Sequence, residues 1–225
     1  MKIKNVKVYG LESSIIRSGY PMQVGEPEDL AERYMQRQMF PSAKNKDRAF
    51  KLANTPIGSG HNNYLKGIIV QFDLKYPQYF TPQLQRYHWI DIISSQSKMH
   101  KLTSVDNIIH SSNNFVLCSI ANEVNSLIRI YNKETFPFTY VDNSGEKSII
   151  ESKEECFQYI ISNLPMGYEM WMGISTSYLQ LSTIYQQRKT HKLKHDWGYF
   201  CNWIKTLPLS ELITKEFLEN AKSKN

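Results

Sequence analysis

Cysteine is scarce. Three residues, Cys118, Cys156 and Cys201, lie far apart in a chain of 225. An odd number without Cys-x-x-Cys spacing argues against a disulfide framework and a thiolate zinc site, and fits a reducing cytosol. Long apolar runs are also missing. Nothing approaches the roughly 20 residues needed to cross a bilayer, so no membrane-spanning segment is expected. Met1 to Gly10 alternates Lys with Ile and Val and lacks the apolar segment of a secretory signal. Glycine is sparse, with ten residues, and none forms a nucleotide-binding loop. Gly58-Ser-Gly60 lacks the Lys-Ser/Thr of a P-loop and the third glycine of a dinucleotide fingerprint. There is no Gly-x-Ser-x-Gly elbow, no internal repeat, no low-complexity tract and no linker.

What is present is a globular composition: 41% hydrophobic, 21% charged, 12% aromatic. The net charge is +6 and the pI about 9.0. A basic chain suits nucleic acid, nucleotides or phosphorylated cofactors. The densest basic stretch is Arg188, Lys189, Lys192, Lys194 and Lys205, with His191 and His195 among them. It reads as a solvated helix face, a phosphate site or a nucleic-acid surface. His191 and His195 are four apart, but no Glu follows His191, so the metalloprotease helix pattern fails and no metal is expected.

Local patterns predict the elements. Lys2 to Tyr9 alternates and reads as a strand, and Leu11 to Ile16 begins a helix that Gly19-Tyr20-Pro21 breaks. Pro27 with Glu26, Glu28 and Asp29 predicts a helix over Leu30 to Phe40. Arg48 to Ala53 is a short helical piece, and Thr55 to Gly60 is a turn. Ile68, Val70, Phe72 and Leu74 recur at period two, predicting a strand over Tyr64 to Leu74 that Pro77 ends. Thr81-Pro82 opens a helix running to about Met99, so polar that it reads as lining a site. Helical spacing returns over Asn122 to Tyr131. Phe136 to Gly145 reads as a loop. Ser152 with Glu155 forms a capping box for a helix over Ser152 to Ile161. Pro165-Met-Gly167 breaks the chain. Leu181, Ile184 and Tyr185, then Leu193, Trp197, Phe200, Cys201 and Ile204, predict one long helix over Thr176 to Lys205. Pro208 stops it, and Ser210 to Ala221 is a last helix. The sum is one α+β domain over residues 1–225.

Three blocks carry polar chemistry. The first is Ser59-Gly60-His61 before the strand with Val70-Gln-Phe72. The second is Gln83-x-x-Arg86-Tyr87-His88 followed by Ser94-Ser-Gln-Ser97. The third is Asn163-Leu-Pro165, then Ser175 to Arg188, then the basic stretch with Trp197 and Leu207-Pro208. In this order they resemble the flavin-dependent thymidylate synthases, the ThyX family, from about Lys2 to Pro208. That family has a Gly-His before a strand ending in Phe and a helix with Gln-x-x-Arg-His-Arg. A Ser/Asn/Glu/Ser/Arg cluster follows, then Leu-Pro and a helix ending Leu-Arg.

The resemblance implies an α+β fold with a mixed or antiparallel sheet, packed helices and a long C-terminal helix. It implies a cytoplasmic homotetramer with sites shared between subunits, and methylation of dUMP to dTMP with FAD, methylenetetrahydrofolate and NADPH. It assigns His61, Arg86, His88 and Ser94 to the cofactor. It assigns Gln83, Arg86, Ser95, Gln96, Ser97, Lys98 and Arg188 to a pyrimidine nucleotide, with Arg188 as the catalytic residue that polarises the base. Nucleic acid and membrane are not expected partners. The departures are specific. Arg-His-Arg is here Arg86-Tyr87-His88, and the serine cluster is shifted by about one residue. The family Glu becomes Ser95, a phosphate Arg becomes Met99 beside Lys98, and Ser162 and Asn163 stand where a second phosphate Arg lies. Lysine does not replace arginine at a bidentate phosphate site. Two other readings stay open: an altered substrate or outcome, such as hydroxymethylation of dUMP or dCMP, or a nucleotide-binding protein that lost flavin and catalysis. For Arg188 the alternative is a structural pair with an acid, and for His61 a turn-capping histidine.

Overall fold

The computed structural model describes residues 1–27, 29–30, 32, 41–56 and 58–215. In chain order the elements are β1 (Lys2–Tyr9), α1 (Leu11–Arg17), α2 (Ala43–Ala53), β2 (Ile69–Pro77), α3 (Thr81–Leu84), β3 (Ile90–Ser95), α4 (Lys98–Lys101) and α5 (Cys118–Lys133). There follow β4 (Phe138–Val141), β5 (Lys147–Ile150), α6 (Lys153–Asn163), β6 (Glu169–Ser177), α7 (Tyr178–Arg188), α8 (Tyr199–Ile204) and α9 (Glu211–Thr214). The fold is α+β. A four-stranded sheet has the order β1-β2-β6-β3, and β4 and β5 form a separate two-stranded sheet. That pair is antiparallel, with register from Phe138↔Ile150 to Val141↔Lys147.

Two compact units make up the chain. The first takes Met1–Ile3, Leu74–Gln85 and Ile93–Gly173, and the second Lys4–Asp73, Arg86–Ile92 and Ile174–Asn225. Each strand of the four-stranded sheet supplies residues to both.

In the first unit, α5 buries Ala121, Val124, Leu127 and Ile128, a stripe with helical spacing. These pack in one core with Leu102, Ile108, Ile150, Cys156, Ile160, Leu164 and Tyr168. Ser152 caps α6 by accepting the Glu155 N–H at 3.1 Å. The Glu155 carboxylate reaches back to the Glu151 N–H at 2.7 Å, one residue beyond the usual capping-box partner. Buried Glu169 accepts from the Met1 ammonium at 2.8 Å and lies 3.3 Å from the Lys75 ammonium. A carboxylate in that position needs both cations to offset its lost hydration.

In the second unit, Gly10 turns the chain from β1 into α1. Its φ is +72°, and a Cβ there would strike the Gly67 carbonyl oxygen, so only glycine fits. Ser177 caps α7, accepting the Gln180 N–H at 3.3 Å. Tyr178, Leu181, Ile184 and Tyr185 are buried along that helix. The Tyr178 hydroxyl donates to the Pro208 carbonyl at 2.6 Å, and burial pushes its pKa up. The Ser182 hydroxyl donates to the Ile213 carbonyl at 2.9 Å, which ties α9 to α7.

Several sequence expectations are corrected. The helix expected over Thr81 to about Met99 ends at Leu84, and β3 and the single turn α4 occupy the rest. Glu169 to Ser177, with no element assigned to most of it, is a strand. The Thr176 to Lys205 helix is three pieces: α7, a wide turn over Lys194–Gly198, and α8. Phe136 to Gly145 contains β4 rather than being all loop. The second strand starts at Ile69, because Asn63–Gly67 forms a 3-10 turn. The helix expected at Arg48 starts earlier, at Ala43, where Ser42 caps it. The helix expected over Leu30 to Phe40 falls outside the described residues, apart from residues 30 and 32. Of the last helix, Glu211–Thr214 is described and residues 216–225 are not.

The thiols differ in exposure. Burial pushes the Cys201 thiol up to about 11 and also raises that of Cys156, whereas Cys118 is exposed. A thiolate is the reactive form. Native protein treated with an aromatic disulfide reagent at neutral pH should therefore release one equivalent from Cys118, and three equivalents after denaturation. Rapid release of two or three equivalents from native protein would contradict this core.

Candidate active site

Arg188 ends α7. A cation in the last helical turn is favoured by the helix dipole, and the His191 N–H closes the end by donating to the Arg188 carbonyl at 3.0 Å. The Arg188 Nε–H donates to the Tyr87 hydroxyl at 2.6 Å. That hydroxyl in turn donates to the Gln187 Oε1 at 3.1 Å. The guanidinium carbon lies 4.6 Å from the Trp197 ring centre and 5.4 Å from that of Tyr87. A hydrogen bond from a charged group is worth about 1.5–3 kcal/mol, and a cation over an aromatic face about 0.5–2 kcal/mol. These contacts fix the side chain without cancelling its charge. Among the described residues no carboxylate pairs with Arg188. Among the described residues no hydrogen bond engages its Nη atoms.

The platform beneath is aromatic. Trp197 is fully buried and meets Tyr87 edge-on at 6.1 Å and 75°, and Phe200 at 5.8 Å and 83°. Phe200 meets Trp203 at 5.1 Å and 54°, and Trp203 meets Phe72 at 4.4 Å and 47°, both tilted contacts. His191 lies 6.2 Å from Trp197.

A second feature of the same unit is a cleft of about 240 Å³ lined by Lys66, Trp89, Asp91, Ser175, Thr176 and Leu179, among others. Trp89 is 58% exposed, and the Lys66 ammonium lies 5.9 Å from its ring centre. The Thr176 hydroxyl holds this segment by donating to the Trp89 carbonyl at 2.7 Å. An exposed indole with an ammonium and hydroxyls beside it suits a flat ring carrying a phosphate. The volume admits one ring system, not a whole dinucleotide.

The residues proposed from sequence divide between the units. Arg86 and His88 are exposed and flank Tyr87 in sequence, and of the three it is Tyr87 that touches Arg188. His88 meets Trp89 edge-on at 5.3 Å. His61 is exposed in the turn after Gly60, five residues before Lys66. In the first unit, Gln83 lies half-buried on α3, and Ser94 and Ser95 are exposed on β3. Gln83 and Arg86 do not share a helix face, because α3 ends between them. The Gln96 side-chain oxygen accepts from the Trp171 N–H at 3.0 Å while the Gln96 backbone N–H donates to the Trp171 carbonyl, so the residue extends the strand pairing. Ser97 caps α4, accepting the His100 N–H at 3.3 Å. Lys98 donates to Gln78 Oε1 at 2.7 Å. Sequence reasoning missed Trp89, Lys66, Gln187 and the supporting role of Tyr87. The only signal for Tyr87 was that it interrupts two basic positions.

Comparison of the sequence with family models and with curated proteins finds no match. Comparison of the fold does. The flavin-dependent thymidylate synthase ThyX of Helicobacter pylori, solved with FAD and dUMP, is similar with a TM-score of 0.65 and 13% identity, over 96% of this chain and 99% of that one. A second structure of the H. pylori enzyme with the same ligands gives 0.59 and 12%, over 96% and 98%. The UMP/dUMP methylase PolB of Streptomyces cacaoi, bound to 5-Br dUMP, gives 0.56 and 11%, over 95% of each chain. The chain therefore has the ThyX fold. Among the described residues no helix is long and apolar enough to cross a membrane.

The His191 ring gives a pH readout of this corner. Its Nδ1 accepts the Leu193 N–H at 3.1 Å, so Nδ1 carries no proton. Burial first, then the charges of Arg188 and Lys192, hold its pKa below the ordinary 6.5. The unfolded chain takes up this proton near 6.5 while the folded chain still refuses it. Stability is thus complete above that pH and falls as pH drops through the lowered folded value. An NMR titration should place the His191 midpoint below that of the denatured chain; a midpoint at or above it would mean the ring is not held this way.

Proposed function

We propose that the protein is a ThyX-like enzyme that transfers a one-carbon unit to a pyrimidine deoxynucleotide, most simply dUMP to dTMP, with flavin as cofactor. The observation that carries this reading is the Arg188 guanidinium, fixed by Tyr87 and Trp197 and unpaired with any acid among the described residues. Placed at a base carbonyl, its Nη edge stabilises the negative charge that develops on the ring oxygen as the base becomes nucleophilic. Flavin, when bound, supplies the hydride chemistry that no side chain provides. The residues that fit part of it are Trp89 and Lys66, with His61, Arg86 and His88 exposed on the same unit. The chain's contribution is to bind, orient and polarise. Folate and NADPH follow as carbon and hydride sources. A homotetramer in the cytoplasm, with groups borrowed across subunits, would complete the ring-sized cleft.

A second reading rests on Tyr87. Its hydroxyl is committed to Arg188 and Gln187, where the resemblance expects an imidazole for flavin. A nucleotide-binding protein without flavin, or an enzyme of altered outcome such as hydroxymethylation of dUMP or dCMP, would tolerate that change. Titration with FAD separates the first alternative: quenching of flavin fluorescence should saturate, though more weakly than in the family. An absence of quenching at high protein concentration would favour the binding protein.

The sharper test is at Arg188. Arg188→Ala should leave the fold largely intact, with a modest drop in melting temperature from the lost Tyr87 and Trp197 contacts, and should reduce turnover of dUMP per folded molecule about a hundredfold or more, corresponding to about 3 kcal/mol for one polarising donor. Arg188→Lys should recover little, because it lacks the planar fork. A strongly destabilised Arg188→Ala whose folded fraction binds nucleotide normally would make the arginine structural.

A further inference from the structure

The first unit holds a hollow that the proposed chemistry does not use. Two clefts, of about 430 Å³ and 350 Å³, share Glu123, Asn143 and Asn163 in their walls. The larger is also lined by Asp142, Glu146, Tyr140 and Tyr159, and the smaller by Ile120 and Val124. No residue lining either cleft is basic, in a chain of net charge +6. This size is ordinary for a small-ligand site.

The decisive atom is Glu123 Oε1, which is shielded from solvent and has no hydrogen-bond partner. Buried polar atoms in folded proteins are nearly always partnered, and a carboxylate oxygen is the most expensive kind to leave alone. Two of its neighbours are committed elsewhere. Asn163 Nδ2 donates to the Tyr159 carbonyl at 2.9 Å. Asp142 Oδ1 accepts from the Ser144 hydroxyl at 2.6 Å and from the N–H groups of Ser144 and Glu146 at 2.8 and 2.9 Å. Those bonds shape the turn between β4 and β5 and hold the Asp142 carboxyl below the usual range, so it stays anionic. The half-buried Tyr140 and Tyr159 rings add faces that attract cations. A metal ion is poorly served, because no three His, Cys, Asp or Glu among the described residues are grouped to ligate one.

We propose that this hollow binds a small organic cation, an alkylammonium or alkylguanidinium, whose charged head partners Glu123 beside the two tyrosine rings and whose alkyl part lies along Ile120 and Val124. The site is independent of the proposed reaction, and neither reading depends on the other.

The test uses the full chain with putrescine and agmatine as probes and 1,4-butanediol as the neutral control. Calorimetry should show saturable binding of at least one amine and none of the diol. In labelled protein the amine should shift the signals of Tyr140, Asn143 and Tyr159. Glu123→Gln should weaken binding about tenfold or more while leaving the melting temperature of the free protein equal or higher, since it removes an unpartnered charge. Should that variant fail to fold, Tyr140→Leu provides the second reading and should weaken binding through loss of one ring. The proposal is overturned by no binding at millimolar amine, by equal binding of the diol, by undiminished binding to the variant that folds, or by calcium chloride alone producing the same shifts. Flavin and dUMP binding should be unaffected by Glu123→Gln, so failure here leaves the proposed function untouched.

Discussion

An arginine without a carboxylate must be held by something else, and the second unit is arranged around that requirement. Tyr87 accepts from Nε, Trp197 lies beneath the guanidinium, and Gln187 fixes the phenol. A carboxylate partner would hold the side chain more strongly, but it would neutralise the charge. Neutral partners fix the position and leave the field intact, which is what a group meant to polarise a ligand needs. The aromatic chain from Trp197 through Phe200 and Trp203 to Phe72 anchors this platform in β2.

That arrangement also explains why the long helix expected from sequence is broken. At about 100° per residue, a side chain nine positions on lies about 180° round the axis. In an unbroken helix Trp197 would face away from Arg188. The turn after α7 and the wide turn over Lys194–Gly198 bring the indole back under the guanidinium. Both halves pack into the same core, so the apolar period continues across the break and conceals it. Periodicity reports what a segment is buried against, not whether its backbone is continuous.

The other missed elements have similar causes. Thr81 and Pro82 read correctly as a helix start, but nothing local marks Leu84 as its end. β3 is mostly exposed and its residues Asp91, Ser94 and Ser95 do not alternate with apolar ones, so the strand pattern is absent. β6 buries Glu169, Thr176 and Ser177 as well as Met172 and Ile174. Long-range partners make that burial tolerable: the Met1 and Lys75 cations for Glu169, and the Trp89 carbonyl for Thr176. A partner distant in sequence leaves no mark on the segment itself. Where the signals were local, as for β1, the Ser152 cap and the α5 stripe, the fold was legible. For Arg188, the lack of an acid three or four positions away on its helix already pointed to a partner distant in sequence, and Tyr87 is that partner. The contacts of Gln96, Ser97 and Lys98 were not legible, because a strand-extending amide, a cap and an amide contact look the same in sequence as ligand donors.

Tyr87 shows why a departure from a motif has to be read in space. In sequence it stands as the loss of an imidazole between two basic residues. In the fold its hydroxyl both accepts from a cation and donates to an amide, and its ring meets Trp197 edge-on. A neutral imidazole could also accept through one nitrogen and donate through the other, but protonation would turn the acceptor into a second donor aimed at the guanidinium. A phenol has one oxygen that can accept and donate at once and no basic nitrogen to protonate, so it keeps both roles. The substitution therefore gives Arg188 a support insensitive to the pH at which histidine titrates. It also removes from this position a group able to carry a positive charge toward an anionic cofactor. The change that fixes Arg188 is thus the same change that takes away the imidazole the family resemblance sets against flavin.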